Sequence, residues 1–192
     1  MPASYVVYFT LVGAVCAERV AELIVAKRNA AWSFARGGVE SGFGHYPPMV
    51  VLHTGLLLGC IVEPLAGHRA FVPWLGWPMI AIEIAAQALR WWCIGTLGPR
   101  WNTRVIVVPG LPLVRTGPYR YTWLKHPNYV AVVVEGVALP LAGSAWITAI
   151  VFTVLNAVLL TVRIRCETRA LAALPGAAAE ASAAPASAEA SP

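Results

Sequence analysis

Two short motifs in the second half of this 192-residue chain carry the side chains best suited to chemistry: His126-Pro127-Asn128-Tyr129, and Arg163 with Glu167. Proline restricts the residue before it to extended conformations and is tolerated in a helix's first turn, so His126 and Tyr129 are expected where a helix begins. Arg163 and Glu167 are four residues apart and share one face near the end of the following helix. Sequential antiparallel helices would bring all four to the same end of a hairpin. Each feature alone has an ordinary structural meaning: a capping histidine, an interfacial tyrosine, a modest surface ion pair. Together they form a constellation able to hold a polar ligand by charge-assisted hydrogen bonds.

The segment leading into these motifs is also unusual. From Gly98 to Tyr129 the chain is too polar to cross a membrane and too aromatic for a disordered linker. It contains Val105-Ile106-Val107-Val108, then Pro109-Gly110, then Leu111-Pro112-Leu113-Val114, then Gly117-Pro118-Tyr119-Arg120-Tyr121.

The elements that must position these residues belong to an all-α integral membrane protein. Hydrophobic residues make up 58% of the chain and charged residues 12%, with eight Trp and no Asp, which excludes an ordinary water-soluble domain. Apolar stretches fall at 5–25, 48–66, 74–97 and from Asn128 to Thr161. The last is too long for one crossing, and Pro140, Gly143 and Ser144 interrupt it where a tight turn would fall. Five transmembrane helices are therefore expected, the last two at 128–142 and 145–165. They form one membrane domain over 1–174, with a functional segment at 98–129 joined by 163–171. Residues 175–192 are Ala, Ser, Pro, Gly and Glu only and are expected to be disordered.

Basic residues set the orientation. Lys27, Arg28 and Arg36, then Arg100, Arg104, Arg115, Arg120 and Lys125, then Arg163, Arg165 and Arg169 fall on one side, with Arg69 on the other. The N-terminus is expected outside and the C-terminus in the cytoplasm, so the net charge of +5 is largely topological and implies no nucleic-acid partner. The first helix lacks a basic leader and contains Glu18, Arg19 and Glu22, unlike a cleaved signal. Cys16, Cys60, Cys93 and Cys166 are isolated in the sequence and imply neither disulfides nor a metal site.

From about Leu89 to Leu171 the chain resembles the isoprenylcysteine carboxyl methyltransferase family. Gly-Pro-Tyr, His-Pro-x-Tyr and Arg-x-x-x-Glu occur in the family's order. The resemblance implies a membrane enzyme using S-adenosylmethionine. It places cofactor contacts on Leu111, Pro112, Leu113, Val114, His126, Pro127, Asn128, Tyr129 and Glu167, and on Tyr119 or Tyr121. The spacing to His126 is two residues longer than usual from Tyr119, which nonetheless directly follows Gly117-Pro118. It also makes Arg163 the substrate-orienting arginine. The paired glutamates of the family are here Glu167-Thr168, which leaves one wall of the site more open.

The chemistry implied is an in-line displacement of methyl from a sulfonium, requiring alignment and exclusion of water rather than a metal. A lipophilic acceptor would enter from the bilayer and the cofactor from the cytoplasm of a bacterial inner membrane. The stretch from Leu89 to Asn102 looks closest to the bacterial branch that methylates oxygens of long-chain polyketide lipids. An isoprenylated cysteine carboxylate, a phospholipid amine and a non-enzymatic scaffold are the alternatives; no internal repeat suggests a transporter. Ionisable residues within the apolar stretches are costly and call for partners or roles. Glu83 is expected to pair with Arg90, and Glu135, one to two turns beyond Tyr129, either pairs between helices or shapes the acceptor pocket.

Overall fold

A computed structural model describes residues 3–121 and 126–172. The chain is mostly helical. Its long helices are α1 (Ala3–Phe34), α2 (Tyr46–Ala66), α3 (Pro73–Leu97), α4 (Pro127–Ala142) and α5 (Trp146–Ala172). The residues expected to form a disordered tail lie outside the described part, as does Lys125.

Helical periodicity explains the packing. The buried residues of α1 are Tyr8, Val12, Val15, Glu22, Ala26 and Ser33, a stripe spaced by threes, fours and sevens. α3 turns Gly76, Ile80, Glu83, Gln87, Arg90 and Ile94 inward in the same manner. The central apolar core joins Tyr8, Val12 and Val15 to Leu56, Cys60, Ile80, Leu139, Ala142 and Phe152. Small residues let the helices approach closely: a Cβ on Gly136 of α4 would lie 2.1 Å from the Phe152 ring of α5.

The outside of the bundle is apolar instead. Val51, Trp74, Ile150 and Val158 are among many large hydrophobic side chains facing outward. A surface of this kind suits lipid and not water. By length and composition, α5 and the segment Phe43–Ala66 are suited to crossing a membrane. α1 and α3 carry ionisable residues in mid-helix, but the bundle turns several of these inward. Arg90 pairs with Glu135 and lies 3.7 Å from Glu22, while Arg19 lies 2.7 Å from Glu22 and 3.7 Å from Glu135. The expected Glu83–Arg90 pair is not what forms. Glu83 instead accepts a 2.6 Å hydrogen bond from Gln87, because neighbouring helices offer Arg90 two carboxylates in better positions.

Two further features depart from expectation. α1 continues about two turns beyond residue 25, to Phe34, because nothing helix-breaking occurs before Gly37. An all-helical description also needs amending: strand β1 (Val39–Ser41) pairs antiparallel with β2 (Val105–Val107), with Glu40 opposite Ile106. This small sheet ties the α1–α2 connection to the α3–α4 connection and packs against α5.

The turn between α4 and α5 passes through Ser144 at positive φ, whose hydroxyl donates to the Ala70 carbonyl at 2.9 Å. Glu63 of α2 accepts hydrogen bonds from the Ile147 and Thr148 amides at 3.0 and 2.8 Å, covering the positive end of α5.

Candidate active site

The site lies at the end of the bundle where α4 begins and α5 nears its end. His126 has extended φ because Pro127 follows it, and its carbonyl accepts from the Tyr129 amide at 3.0 Å, opening the helix. The His126 and Tyr129 rings therefore stack, with centroids 5.3 Å apart. Opposite them, the Arg163 Nε donates to the Tyr129 hydroxyl at 3.0 Å, and that hydroxyl donates in turn to Glu167. His126 Nδ1 lies 3.6 Å from the other Glu167 oxygen. The structure thus brings His126, Tyr129, Arg163 and Glu167 into one connected group. Burial pushes the Glu167 carboxyl up, but the polar contacts from His126 and Tyr129 and the Arg163 charge outweigh it and hold the group below the usual carboxylate range. It is an anion at neutral pH.

Arg163 is buried and also donates to the Met49 sulfur at 3.0 Å. The neighbouring His45 is driven toward its neutral form by burial and by the Arg163 charge.

The long α3–α4 connection closes the site. Gly117 opens its Gly-Pro-Tyr turn at φ 54, with Thr96 so near that a Cβ would lie 2.4 Å from its hydroxyl. Both constraints favour glycine. The turn directs Tyr119 toward Cys93 of α3, and burial followed by contact with Cys93 keeps its phenol protonated, well above the usual range. Tyr121 faces outward over Arg120. The Pro112 carbonyl is held by Arg100 Nη1 at 2.6 Å.

These parts enclose a cavity of about 750 Å³ whose lining includes Leu111, Pro112, Leu113, Val114, Tyr119, Tyr121, His126, Asn128, Tyr129, Arg163 and Glu167. Pro127 is buried behind it and shapes the helix start. A second cavity of about 160 Å³ runs into the bundle between α1, α2, α3, α4 and α5. Trp101, Asn102, Asn128, Tyr129 and Arg163 line both cavities and form their common wall. Glu135 lines neither; it is buried and meets the smaller cavity through Arg90 and Arg19, which do line it.

Several groups that line or support the cavities escaped sequence reasoning. Asn29, on the unanticipated last turns of α1, donates to the Gly98 and Trp101 carbonyls at 3.1 and 2.7 Å. Asn102 donates to the Ala26 carbonyl at 3.2 Å. These bonds seat Trp101 against Ala26 and Ile94. The available signal was a pair of asparagines at the edges of apolar stretches, each demanding partners for its amide. Among the described residues, Trp101 Nε1 and Asn128 Oδ1 are buried without a hydrogen-bond partner, although both side chains line the two cavities. A buried donor and acceptor of this kind are costly unless a ligand satisfies them.

Fold and cavities together define a helical, membrane-associated protein with a polar chamber at one end of an apolar bundle. Comparison with known proteins agrees. Residues 79–173 match the model of the isoprenylcysteine carboxyl methyltransferase family. The uncharacterized protein YpbQ of Bacillus subtilis is 39% identical over 165 residues, covering 85% of this chain and 96% of that one. An uncharacterized protein of Haemophilus influenzae is 25% identical over 163 residues, covering 83% and 92%. No solved structure matches. The chain belongs to the isoprenylcysteine carboxyl methyltransferase family, whose members are membrane methyltransferases using S-adenosylmethionine.

Proposed function

We propose that the protein methylates an oxygen of a lipophilic acceptor, with S-adenosylmethionine in the larger cavity and the acceptor's reactive group in the smaller one. The observation that carries this reading is the shared wall: Asn128, Tyr129 and Arg163 line both chambers, so reactants held on either side would meet there.

The residues suit the cofactor. Glu167 is an anion beside phenols and an imidazole, fitting a ligand with a sulfonium and an ammonium, while the unpartnered Trp101 Nε1 and Asn128 Oδ1 supply a donor and an acceptor. The backbone from Leu111 to Val114 would line the adenosine and His126 its polar edge, with Tyr119 the inward tyrosine and Tyr121 at the rim. Once bound, S-adenosylmethionine supplies an electrophilic methyl group.

Arg163 does the remaining positioning. Its buried charge stabilises an oxyanion and disfavours a cationic amine, so an oxygen acceptor is preferred over a phospholipid nitrogen. Arg163 would hold the acceptor oxygen as it gives up its proton, facing the shared wall across which Glu167 and Asn128 would hold the methyl donor, whose carbon–sulfur bond would break as the oxygen takes the methyl group. His126 or the Tyr129 hydroxyl lies within the polar chain that would take the proton. Closure by the apolar bundle excludes water from the methyl.

Five membrane crossings with the N-terminus outside would put the larger cavity at the cytoplasmic face of a bacterial inner membrane. The acceptor class that suits this arrangement is a long-chain polyketide lipid with an acidic phenol or enol. Calorimetry of S-adenosylhomocysteine on the detergent-purified protein tests the reading, beside Glu167→Ala and His126→Ala proteins with wild-type helicity. Binding that weakens at least tenfold in both variants supports it. Wild-type protein that is folded and binds nothing would remove it in favour of a scaffold.

A further inference from the structure

The smaller cavity holds a histidine that stands outside the chain of contacts at the shared wall. His53 of α2 lines it together with Tyr129, Asn156 and Arg163. Its Nδ1 lies 2.9 Å from the Met49 carbonyl oxygen, one helical turn back. A carbonyl can only accept, so Nδ1 carries the ring's proton and Nε2 of the neutral imidazole keeps its lone pair. Among the described residues no hydrogen bond reaches that second nitrogen. The ring is fixed from another side by Phe152, edge-on to it with centroids 5.3 Å apart.

Met49 links this histidine to the proposed reaction centre. Its sulfur accepts from Arg163 Nη1 at 3.0 Å, and His53 lies one turn further along α2, a rise of about 6 Å. That rise is about twice a hydrogen-bond length, so a single oxygen atom can sit between guanidinium and imidazole within reach of both. A second group in this part of the cavity also lacks a partner. Asn156 follows Phe152 by one turn of α5, is 4% exposed and lines the cavity, yet its amide makes no hydrogen bond among the described residues. A buried amide in an apolar bundle is costly until a polar group arrives beside it.

The other groups able to take a proton are committed elsewhere. The Tyr129 hydroxyl donates to Glu167 and accepts from Arg163, and His126 lines the larger cavity alone. Glu22 is held by Arg19 at 2.7 Å, with Arg90 at 3.7 Å.

We infer that His53 is the catalytic base of the methyl transfer. Its Nε2 takes the proton of the acceptor's hydroxyl; the O–H electron pair stays on oxygen and becomes the new oxygen–carbon bond, the pair of the breaking carbon–sulfur bond remaining on sulfur. The imidazolium so formed shares its cavity with Arg19, Arg90 and Arg163, balanced by Glu22 and by Glu135 behind Arg90, and passes its proton to water as the product leaves. His53 creates the oxyanion and Arg163 steadies it. This inference rests on the methyl-transfer reading and moves the first proton acceptor from the shared wall to α2.

The test uses full-length protein in lipid nanodiscs with S-adenosylmethionine and two probes of nearly equal shape, 3-pentadecylphenol and its 2,6-difluoro derivative. The fluorines make the hydroxyl acidic enough to ionise largely unaided, so a base matters far less for the second probe. Methyl ethers are quantified by mass spectrometry, and S-adenosylhomocysteine calorimetry reports whether each protein keeps its cofactor cavity. His53→Gln retains a donor for the Met49 carbonyl and removes the basic nitrogen. It is expected to lower kcat for the phenol by about a hundredfold or more and for the difluorophenol by about threefold or less, with KM little changed for either. Equal losses for the two probes, a loss confined to KM, or no loss would overturn the inference. If His53→Gln no longer binds S-adenosylhomocysteine, His53→Ala with added imidazole takes its place: recovery of phenol methylation by about tenfold supports the base, and no recovery overturns it. Methylation of neither probe by wild type that binds S-adenosylhomocysteine would also overturn it, leaving the methyltransferase reading in place. Absence of S-adenosylhomocysteine binding to folded wild type would overturn both.

Discussion

Removing one oxygen atom, in Tyr129→Phe, should uncouple Glu167, the carboxylate proposed to hold the cofactor, from Arg163, the arginine proposed to hold the acceptor. The Tyr129 hydroxyl accepts from Arg163 at 3.0 Å and donates to Glu167, so it is the single atom through which the two charges are held in register. The ring itself would stay, because it stacks on His126 with centroids 5.3 Å apart and is buried. Two hydrogen bonds to charged groups are lost, each worth about 1.5–3 kcal/mol. Arg163 is buried and keeps its sulfur contact at 3.0 Å and its place 5.7 Å from the ring centroid, neither of which replaces the lost acceptor, so its share falls mainly on the folded state. Glu167 is partly exposed, and water replaces some of its share. For cofactor binding, one charge-assisted bond's worth of orientation predicts a Kd for S-adenosylhomocysteine weakened by about ten- to a hundredfold. Calorimetry on Tyr129→Phe, Glu167→Gln and the double variant forms a cycle, in which contacting residues couple by about 0.5–3 kcal/mol. Single-variant effects that add to within about 0.5 kcal/mol would show that the hydroxyl does not hold the carboxylate for the cofactor.

Arg163→Lys keeps the charge but loses the planar fork, so kcat/KM for the acceptor should fall by about tenfold or more while S-adenosylhomocysteine affinity changes far less; equal losses in both would place the arginine in the cofactor site instead. Gly136→Ala puts a carbon within 2.1 Å of the Phe152 ring and should destabilise the bundle by about 1–3 kcal/mol, seen as a lower melting temperature that Phe152→Leu partly restores. The Glu167 carboxyl is held below its ordinary value, so its stabilisation is complete above the unfolded pKa and is lost as pH falls through the depressed one. Melting temperature followed downward from about pH 5 should therefore drop more steeply for wild type than for Glu167→Gln. Parallel slopes would contradict the carboxylate's assigned state. Cysteine labelling from either side of spheroplast membranes should find the N-terminus outside and the 98–129 segment inside; labelling on opposite faces to these would reverse the proposed orientation.

Much of the site was legible because it depends on local rules. His126 is extended because Pro127 follows it, and Arg163 and Glu167 share a face because they are one helical turn apart. The Gly117 turn likewise follows from its own residues. Less legible was the support. The extra turns of α1 contribute Asn29, and β1 pairs with β2 across more than sixty residues of sequence, with Val39 opposite Val107. Strands of three residues carry too little alternation to be recognised.

The sequence by itself determined an apolar helical bundle, the chemistry-bearing motifs and their common end, because composition, helical period and proline geometry act within a single element. Tertiary structure alone decided which charges pair. Periodicity places Glu83 and Arg90 on one face of α3, yet Arg90 takes Glu135 from α4, with Glu22 of α1 nearby, and Glu83 takes Gln87. Tertiary structure also created the two chambers and their shared wall at Asn128, Tyr129 and Arg163. The physical reason is that helical period fixes which residues share a face, whereas a partner or a cavity depends on which other faces pack against it and at what height.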